Sequence, residues 1–346
     1  MAADLPRRLA LRALLSLPGA VLRALSGGGV VWVGGRTLDP RVQFLAWQAR
    51  RAPPLSSLSP ADARIASATA LALSAGDPKP GVRVESLSVP GATGQIPARA
   101  YRSTHQDPAA PLMVFAHFGG GVLGDLDTAD AFCRLLAAGA RCPVLSIDYR
   151  LAPEHRFPAG QDDMLAAYLW GRDNADRFGA PRGVAAVGGD SIGGGFAAVV
   201  AHDLRRAGEP QPALQLLICP ALDMADDSPS MTTYAGAWPL SRATLGWFMD
   251  HYIGPDDAPT DPRLSPLREN DLSGLAPAIV IGAGFDPLLD QGEAYARRLI
   301  AAGTPATYRC WDALPHAFTA LTGVVPAADR ACHQIASLTR GANVKG

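Results

Sequence analysis

No stretch of this chain stays apolar long enough to cross a membrane as a helix. The most leucine-rich segment, residues 5–25, is interrupted by Pro18 and Arg23. Those interruptions, with no A-x-A-like site behind them, also argue against a secretory leader, so a cytoplasmic protein is expected. Cysteine is scarce and scattered. Cys133, Cys142, Cys219, Cys310 and Cys332 are odd in number and lack C-x-x-C spacing. Neither a disulfide framework nor a metal site is expected from them, and they read as buried, inert thiols of a reducing compartment. Charge is low too: 18% of the residues are charged, the formal net charge is −1, and no Lys/Arg-rich block occurs. Nothing here gives the electrostatic footprint of a nucleic-acid binder.

What is present is apolar. Hydrophobic residues make up 48% of 346, enough for one large domain with an accessory element. Arg7, Arg8, Arg12 and Arg23 among leucines predict an amphipathic helix packed on the protein's own body rather than on a membrane. Residues 1–80 show Leu/Ala-rich helical patterns broken by clusters such as Ala52-Pro53-Pro54. Beyond them, strand-like runs at 82–89, 96–101, 112–116, 144–148, 184–187, 214–219, 278–283 and 306–311 alternate with helical stretches at 127–138, 162–178, 192–207, 292–302 and 327–338. A turn between Gly91 and Gly94 makes the first two runs a hairpin, and the later alternation predicts a parallel sheet with helices on both faces. Residues 221–253 break the alternation and carry Trp238, Trp247, Phe248 and Tyr252; they read as a lid-like insertion.

The chemistry starts at Gly189-Asp190-Ser191-Ile192-Gly193. A lone G-x-S-x-G is weak in a chain with 36 glycines. This one follows an apolar run and opens an alanine-rich helical stretch, the strand–turn–helix setting of a nucleophile elbow. Its helix N-terminus favours developing negative charge. The bland counterpart is a glycine-rich turn with a capping serine. A nucleophilic serine needs a base, and the base an orienter. In the chain order that accompanies such an elbow, acid and then histidine follow the serine. His202 lies within the helix that starts at the serine, His251 in the insertion and His333 in a terminal helical pattern. His316 directly follows the last strand run, at the carboxyl edge where ligands bind in open α/β sheets. Asp286 holds the matching place after 278–283; it also suits a helix N-cap before Pro287, and Asp290 is the backup acid. Ser191, Asp286 and His316 are therefore the expected nucleophile, orienting acid and base.

His117-Phe118-Gly119-Gly120-Gly121 follows the run 112–116. Successive glycines let main-chain N–H groups reach a substrate carbonyl oxygen, and the N–H of Ile192 adds a donor. His117, at a strand end and ahead of both serine and acid, reads as structural. The same stretch matches the dinucleotide pattern G-x-G-x-x-G through Gly119, Gly121 and Gly124, with Asp148 ending the next strand. Against that, Asp125 and Asp127 would repel a pyrophosphate, and the strand comes third rather than first.

With these pieces in place, the chain resembles the bacterial hormone-sensitive-lipase family (family IV) of α/β-hydrolases from about residue 82 to 318. The resemblance is carried by Gly124-Asp125, Asp148-Tyr149-Arg150-Leu151-Ala152-Pro153-Glu154, Phe157-Pro158-Ala159 with Asp162-Asp163, the GDSIGG elbow, Ser265-Pro266-Leu267, Asp286-Pro287-Leu288 with Asp290 and Gly292, and His316-Ala317-Phe318. It implies an α/β-hydrolase fold, a mostly parallel eight-stranded sheet flanked by helices, with a helical cap. The chain then divides into an N-terminal cap segment (1–80), a catalytic core in two parts (81–220 and 261–346) and a cap insertion (221–260). It implies hydrolysis of a small-molecule ester, short- to medium-chain in its acyl group, through an acyl-enzyme and without metal or organic cofactor. Homodimers are common in the family; neither nucleic acid nor membrane contact is expected. Amide or lactone hydrolysis, a ligand receptor on the same fold and, remotely, a dinucleotide-dependent enzyme are the alternatives.

The family's loop reads H-G-G-G followed by a large residue. Here Phe118 replaces the first glycine and Gly121 the large residue, which puts the expected oxyanion donors on Gly119 and Gly120, with Ile192; a shift of one would use Gly120 and Gly121. The missing bulk at 121 predicts a wider pocket, open to bulky ester groups and narrowed by Gly121→Trp.

Overall fold

Eight apolar runs pair into one sheet in a computed structural model that describes residues 5–343. They are β1 (Val82–Pro90), β2 (Gln95–Ser103), β3 (Leu112–Ala116), β4 (Val144–Ile147), β5 (Ala185–Asp190), β6 (Gln215–Ile218), β7 (Ala278–Phe285) and β8 (Ala306–Pro315). Across the sheet the order is β8-β7-β6-β5-β3-β4-β2-β1. β2 runs antiparallel to β1 and β4, and every other pairing is parallel. The hairpin and the parallel array expected from the sequence both form.

Alternation along the strands feeds two cores. In β3, Leu112, Val114 and Ala116 join a layer with Met164, Tyr168, Phe196 and Leu204 from helices Ala159–Asp173 and Ile192–Ala207. Met113 and Phe115 point the other way, to Phe132, Leu136 and Ile335 from helices Leu126–Ala140 and Pro326–Asn343. A strand buried on both faces has no polar alternation to show, which is why its sequence reads as one continuous apolar run. The helix expected over 162–178 divides: Ala159–Asp173 ends at Asn174, whose side-chain amide donates to the Trp170 carbonyl, and a 3₁₀ turn Ala175–Phe178 follows.

The N-terminal segment folds as four helices, Leu5–Leu15, Gly19–Leu25, Pro40–Ala49 and Pro60–Ser74, with a short antiparallel ribbon, Trp32–Val33 against Arg36–Thr37, that the helical patterns did not announce. Leu15 and Leu22 are buried and Arg8 and Arg12 pair with Asp77, while Leu5, Leu9, Val21 and Leu25 are exposed, so the basic leucine-rich stretch rests on the body of the protein with part of its apolar face open. Between β6 and β7 lie helices Pro229–Thr233 and Arg242–Tyr252 and no strand. The second of these reaches the N-terminal segment through Trp247, whose indole N–H donates to the Leu58 carbonyl at 3.2 Å. Arg64 from helix Pro60–Ser74 donates to the carbonyls of Val122 and Ala152 and to the Glu154 carboxylate, anchoring the end of the glycine loop.

One buried carboxylate ties the first hairpin to the core. Asp163 is fully buried; it accepts from Nε and Nη2 of the Arg150 guanidinium, at 2.8 and 2.9 Å, from the Arg150 amide and from the Ala92 amide in the β1–β2 turn. Arg150 is partly exposed and can turn to water if Asp163 is lost, but the Ala92 and Arg150 amides would be left unpaired. Asp163→Ala should lower unfolding stability by about 2–4 kcal/mol, read as a shift of the urea midpoint at unchanged slope; a change under about 1 kcal/mol would put the anchoring elsewhere.

Candidate active site

Three strands deliver three side chains to one point. Ser191, Asp286 and His316 each occupy the first position past β5, β7 and β8. The His316 imidazole lies between the other two: Nε2 is 2.8 Å from Ser191 Oγ, and Nδ1 is 2.7 Å from Asp286 Oδ2. The second Asp286 oxygen accepts the Leu288 amide at 2.9 Å, which fixes the carboxylate plane. All three are buried, with Ser191 7% and His316 4% exposed. Burial alone would lower the imidazole pKa; the Asp286 carboxylate, by charge and by hydrogen bond, more than offsets it and holds His316 above its ordinary value of 6.5.

Ser191 sits at φ 58°, ψ −120°, a conformation L side chains rarely adopt, and Ile192 starts the helix immediately. The turn closes only because its flanks carry no Cβ. One on Gly189 would lie 2.2 Å from the Gly193 carbonyl, and one on Gly193 would lie 2.2 Å from the Ala116 carbonyl oxygen. That second approach brings the start of the helix against the end of β3, where the glycine loop begins. Gly119, Gly120 and Gly121 all have positive φ, at 133°, 63° and 72°. Among the described residues, the N–H groups of Gly119, Gly120 and Ile192 donate to no protein acceptor.

The insertion lies on this loop. A Cβ on Gly120 would meet the Phe248 ring at 2.2 Å, and one on Gly121 would meet the Tyr252 ring at 2.6 Å. The expectation of a wider pocket at position 121 is therefore corrected: Tyr252 fills the space that the missing side chain would vacate. Position 121 also takes a backbone conformation that strains any substituted side chain, so Gly121→Trp would distort the loop rather than narrow a pocket. The dinucleotide pattern finds no support either, because Asp125 caps helix Leu126–Ala140 with its own carboxylate, accepting the Asp127 and Thr128 amides.

The remaining histidines stand elsewhere. His117 is buried and stacked on Tyr149 at 4.3 Å, with Nδ1 2.8 Å from the Phe118 carbonyl; burial holds its pKa down near 4. His202 meets Tyr295, His251 bonds the Trp247 carbonyl, and His333 lies beside Lys79 and Asp329. Asp290 accepts the Ser230 amide in the insertion rather than approaching His316. Three neighbours were not anticipated from the sequence: Asp190 and Thr319, hydrogen-bonded to each other, and Cys219, at φ 42° past β6. Cys219 Sγ, an Asp286 oxygen and a His316 nitrogen lie within 4.8 Å of one another. Asp190 fills the variable position of G-x-S-x-G, and the motif carries no signal about its partner.

A family model described as alpha/beta hydrolase fold matches residues 113–320. The chain is 45% identical over 311 residues to carboxylic ester hydrolase LipN of Mycobacterium tuberculosis, covering 87% of this chain and 82% of that protein. It is 36% identical over 280 residues to an ethyl acetate hydrolase of Pseudomonas putida, covering 80% and 88%. Among solved structures, ester-hydrolase EH1AB1 from the metagenome of Lake Arreo superimposes with a TM-score of 0.84 at 41% identity, covering 88% of this chain and 98% of the other. The chain thus belongs to the α/β-hydrolase family, in its hormone-sensitive-lipase-like branch.

Proposed function

We propose that this protein hydrolyses carboxylic esters with Ser191 as nucleophile, His316 as general base and acid, and Asp286 as the residue that orients the imidazole. The observation that carries the reading is the pair of hydrogen bonds on one imidazole, 2.8 Å to the serine and 2.7 Å to the acid. Ser191 Oγ attacks the ester carbonyl carbon as His316 Nε2 takes its proton, and the carbonyl oxygen becomes an oxyanion facing the N–H groups of Gly119, Gly120 and Ile192. Collapse expels the alcohol, which leaves with the proton on Nε2. Water then gives a proton to the same nitrogen and attacks the acyl-enzyme, and the second collapse releases the acid as Nε2 returns the proton to Ser191 Oγ. Asp286 stays ionised throughout and fixes the tautomer with Nε2 free to accept. The esterase and ester-hydrolase names of the relatives favour esters over amides or lactones.

Residues 1–80 and 221–260 act as the cap in this reading, because Phe248 and Tyr252 press on the glycine loop from outside the sheet. A loop so covered favours short acyl groups. Replacing Ser191 with Ala should lower kcat on chromogenic acetyl and butanoyl esters by about 10⁴-fold or more, and Asp286→Asn by a similar factor through the wrong tautomer. Turnover persisting in a pure Ser191→Ala protein would overturn the assignment.

Two further outcomes follow from the geometry. Catalysis needs neutral His316, so kcat/KM is lost as pH falls through a pKa held above 6.5, and the acid limb should have its midpoint above that value; a midpoint well below it would mean that another base is at work. Phe248→Ala should raise kcat/KM for a branched ester relative to acetyl by roughly tenfold, measured on paired substrates, and an unchanged ratio would place Phe248 outside the substrate's path.

A further inference from the structure

A second carboxylate lies inside the site and has no part in the mechanism above. Asp190, the last residue of β5 and the neighbour of Ser191, is 2% exposed. Its Oδ2 accepts the hydroxyl of Thr319, itself 3% exposed, and its Oδ1 has no partner among the described residues. Thr319 belongs to the 3₁₀ turn Phe318–Leu321, which is reached from His316 through Ala317 at φ 54°. The Asp190–Thr319 bond therefore joins the residue before the nucleophile to the turn that follows the base, across 129 positions of sequence.

A buried carboxylate with one hydroxyl donor is an expensive group to keep. The groups that act on it come from every side: His316 past β8, Asp286 past β7, Cys219 past β6 and Cys332 on helix Pro326–Asn343. Of these, only the imidazole can become a cation. Burial raises the Asp190 carboxyl and the charge of His316 and the Thr319 hydroxyl oppose it, leaving it at about 6. The influence is mutual, since Asp190 adds to Asp286 in raising His316.

We propose that Asp190, clasped by Thr319, is a positioning residue that locks the histidine loop to the nucleophile elbow and supplies a second negative charge to the imidazolium formed when Ser191 attacks. This rests on the catalytic reading of Ser191 and His316. The clasp acts on Ser191 through the peptide bond and on His316 through three residues of the following turn, so it constrains the distance between the reacting oxygen and nitrogen. The charge acts only while the imidazole is protonated. It therefore lowers the energy of the tetrahedral intermediate more than that of the resting enzyme, the condition under which an interaction raises kcat.

The test compares pH profiles of kcat and kcat/KM on a short chromogenic ester for wild type, Asp190→Asn, Thr319→Val and Thr319→Ser, with Ser191→Ala alongside and thermal unfolding of each as a check of folding. Asp190→Asn keeps an acceptor for Thr319 and loses the charge; its acid limb should move down by roughly half a unit or more, with kcat about five- to twentyfold lower. Thr319→Val removes the clasp and should cut kcat about tenfold or more with KM little changed, while Thr319→Ser restores most of it. A folded Asp190→Asn whose acid limb and kcat coincide with wild type overturns the inference. If Asp190→Asn does not fold, the Thr319 pair decides: equal kcat in the Val and Ser variants overturns it. Activity surviving in Ser191→Ala would instead remove the catalytic reading itself.

Discussion

The passage of the Gly193 backbone against the carbonyl of Ala116 is the constraint on which the site depends. Helix Ile192–Ala207 can start where it does because no Cβ intervenes at 189 or 193. With the helix seated there, its first turn lies against the end of β3, where the glycine loop begins. A Cβ at either position would open the turn and move Ser191 away from the start of the glycine loop. The strain at Ser191, φ 58°, is sustained by the packed strand and helix on either side of it, as strained residues at functional sites generally are.

Around that elbow the parallel sheet does the assembling. β5, β7 and β8 point the same way, so their carboxyl ends supply Ser191, Asp286 and His316 to one edge from three distant parts of the chain. The three side chains are almost fully buried there, which raises the cost of every unpaired charge and the worth of every paired one. Asp286 has its imidazole and one amide. Asp190 has a hydroxyl and the field of the neighbouring His316. These two carboxylates on one base explain why the imidazole is held above its ordinary pKa despite complete burial.

Much of this was legible in the sequence. The eight strand runs needed only apolar continuity and turn residues between them, and their limits shifted by a few residues at most ends. The larger shifts were at β5 and β8, which run on to Asp190 and Pro315 because glycine and proline at strand ends mask the pairing. Ser191, Asp286 and His316 could be picked out because the serine motif has fixed spacing and the other two stand directly after strand runs. The pocket at Gly121 was misread because a glycine in sequence shows what is missing from its own position, not which side chain from elsewhere comes to fill it.

By itself, then, the sequence determined the alternation of strands and helices, the elbow, and the order serine, acid, histidine. Each of these is written in local chemistry: apolar periodicity, small residues at a tight turn, polar residues at strand ends. Tertiary structure alone decided that Tyr252 and Phe248 close over the glycine loop and that Arg64 anchors it from the N-terminal segment. It alone decided that Asp190 meets Thr319, and that Asp290 turns away from the site while Asp286 enters it. Those outcomes depend on contacts between residues far apart in sequence, and a contact of that kind leaves no periodicity or spacing from which it could be read.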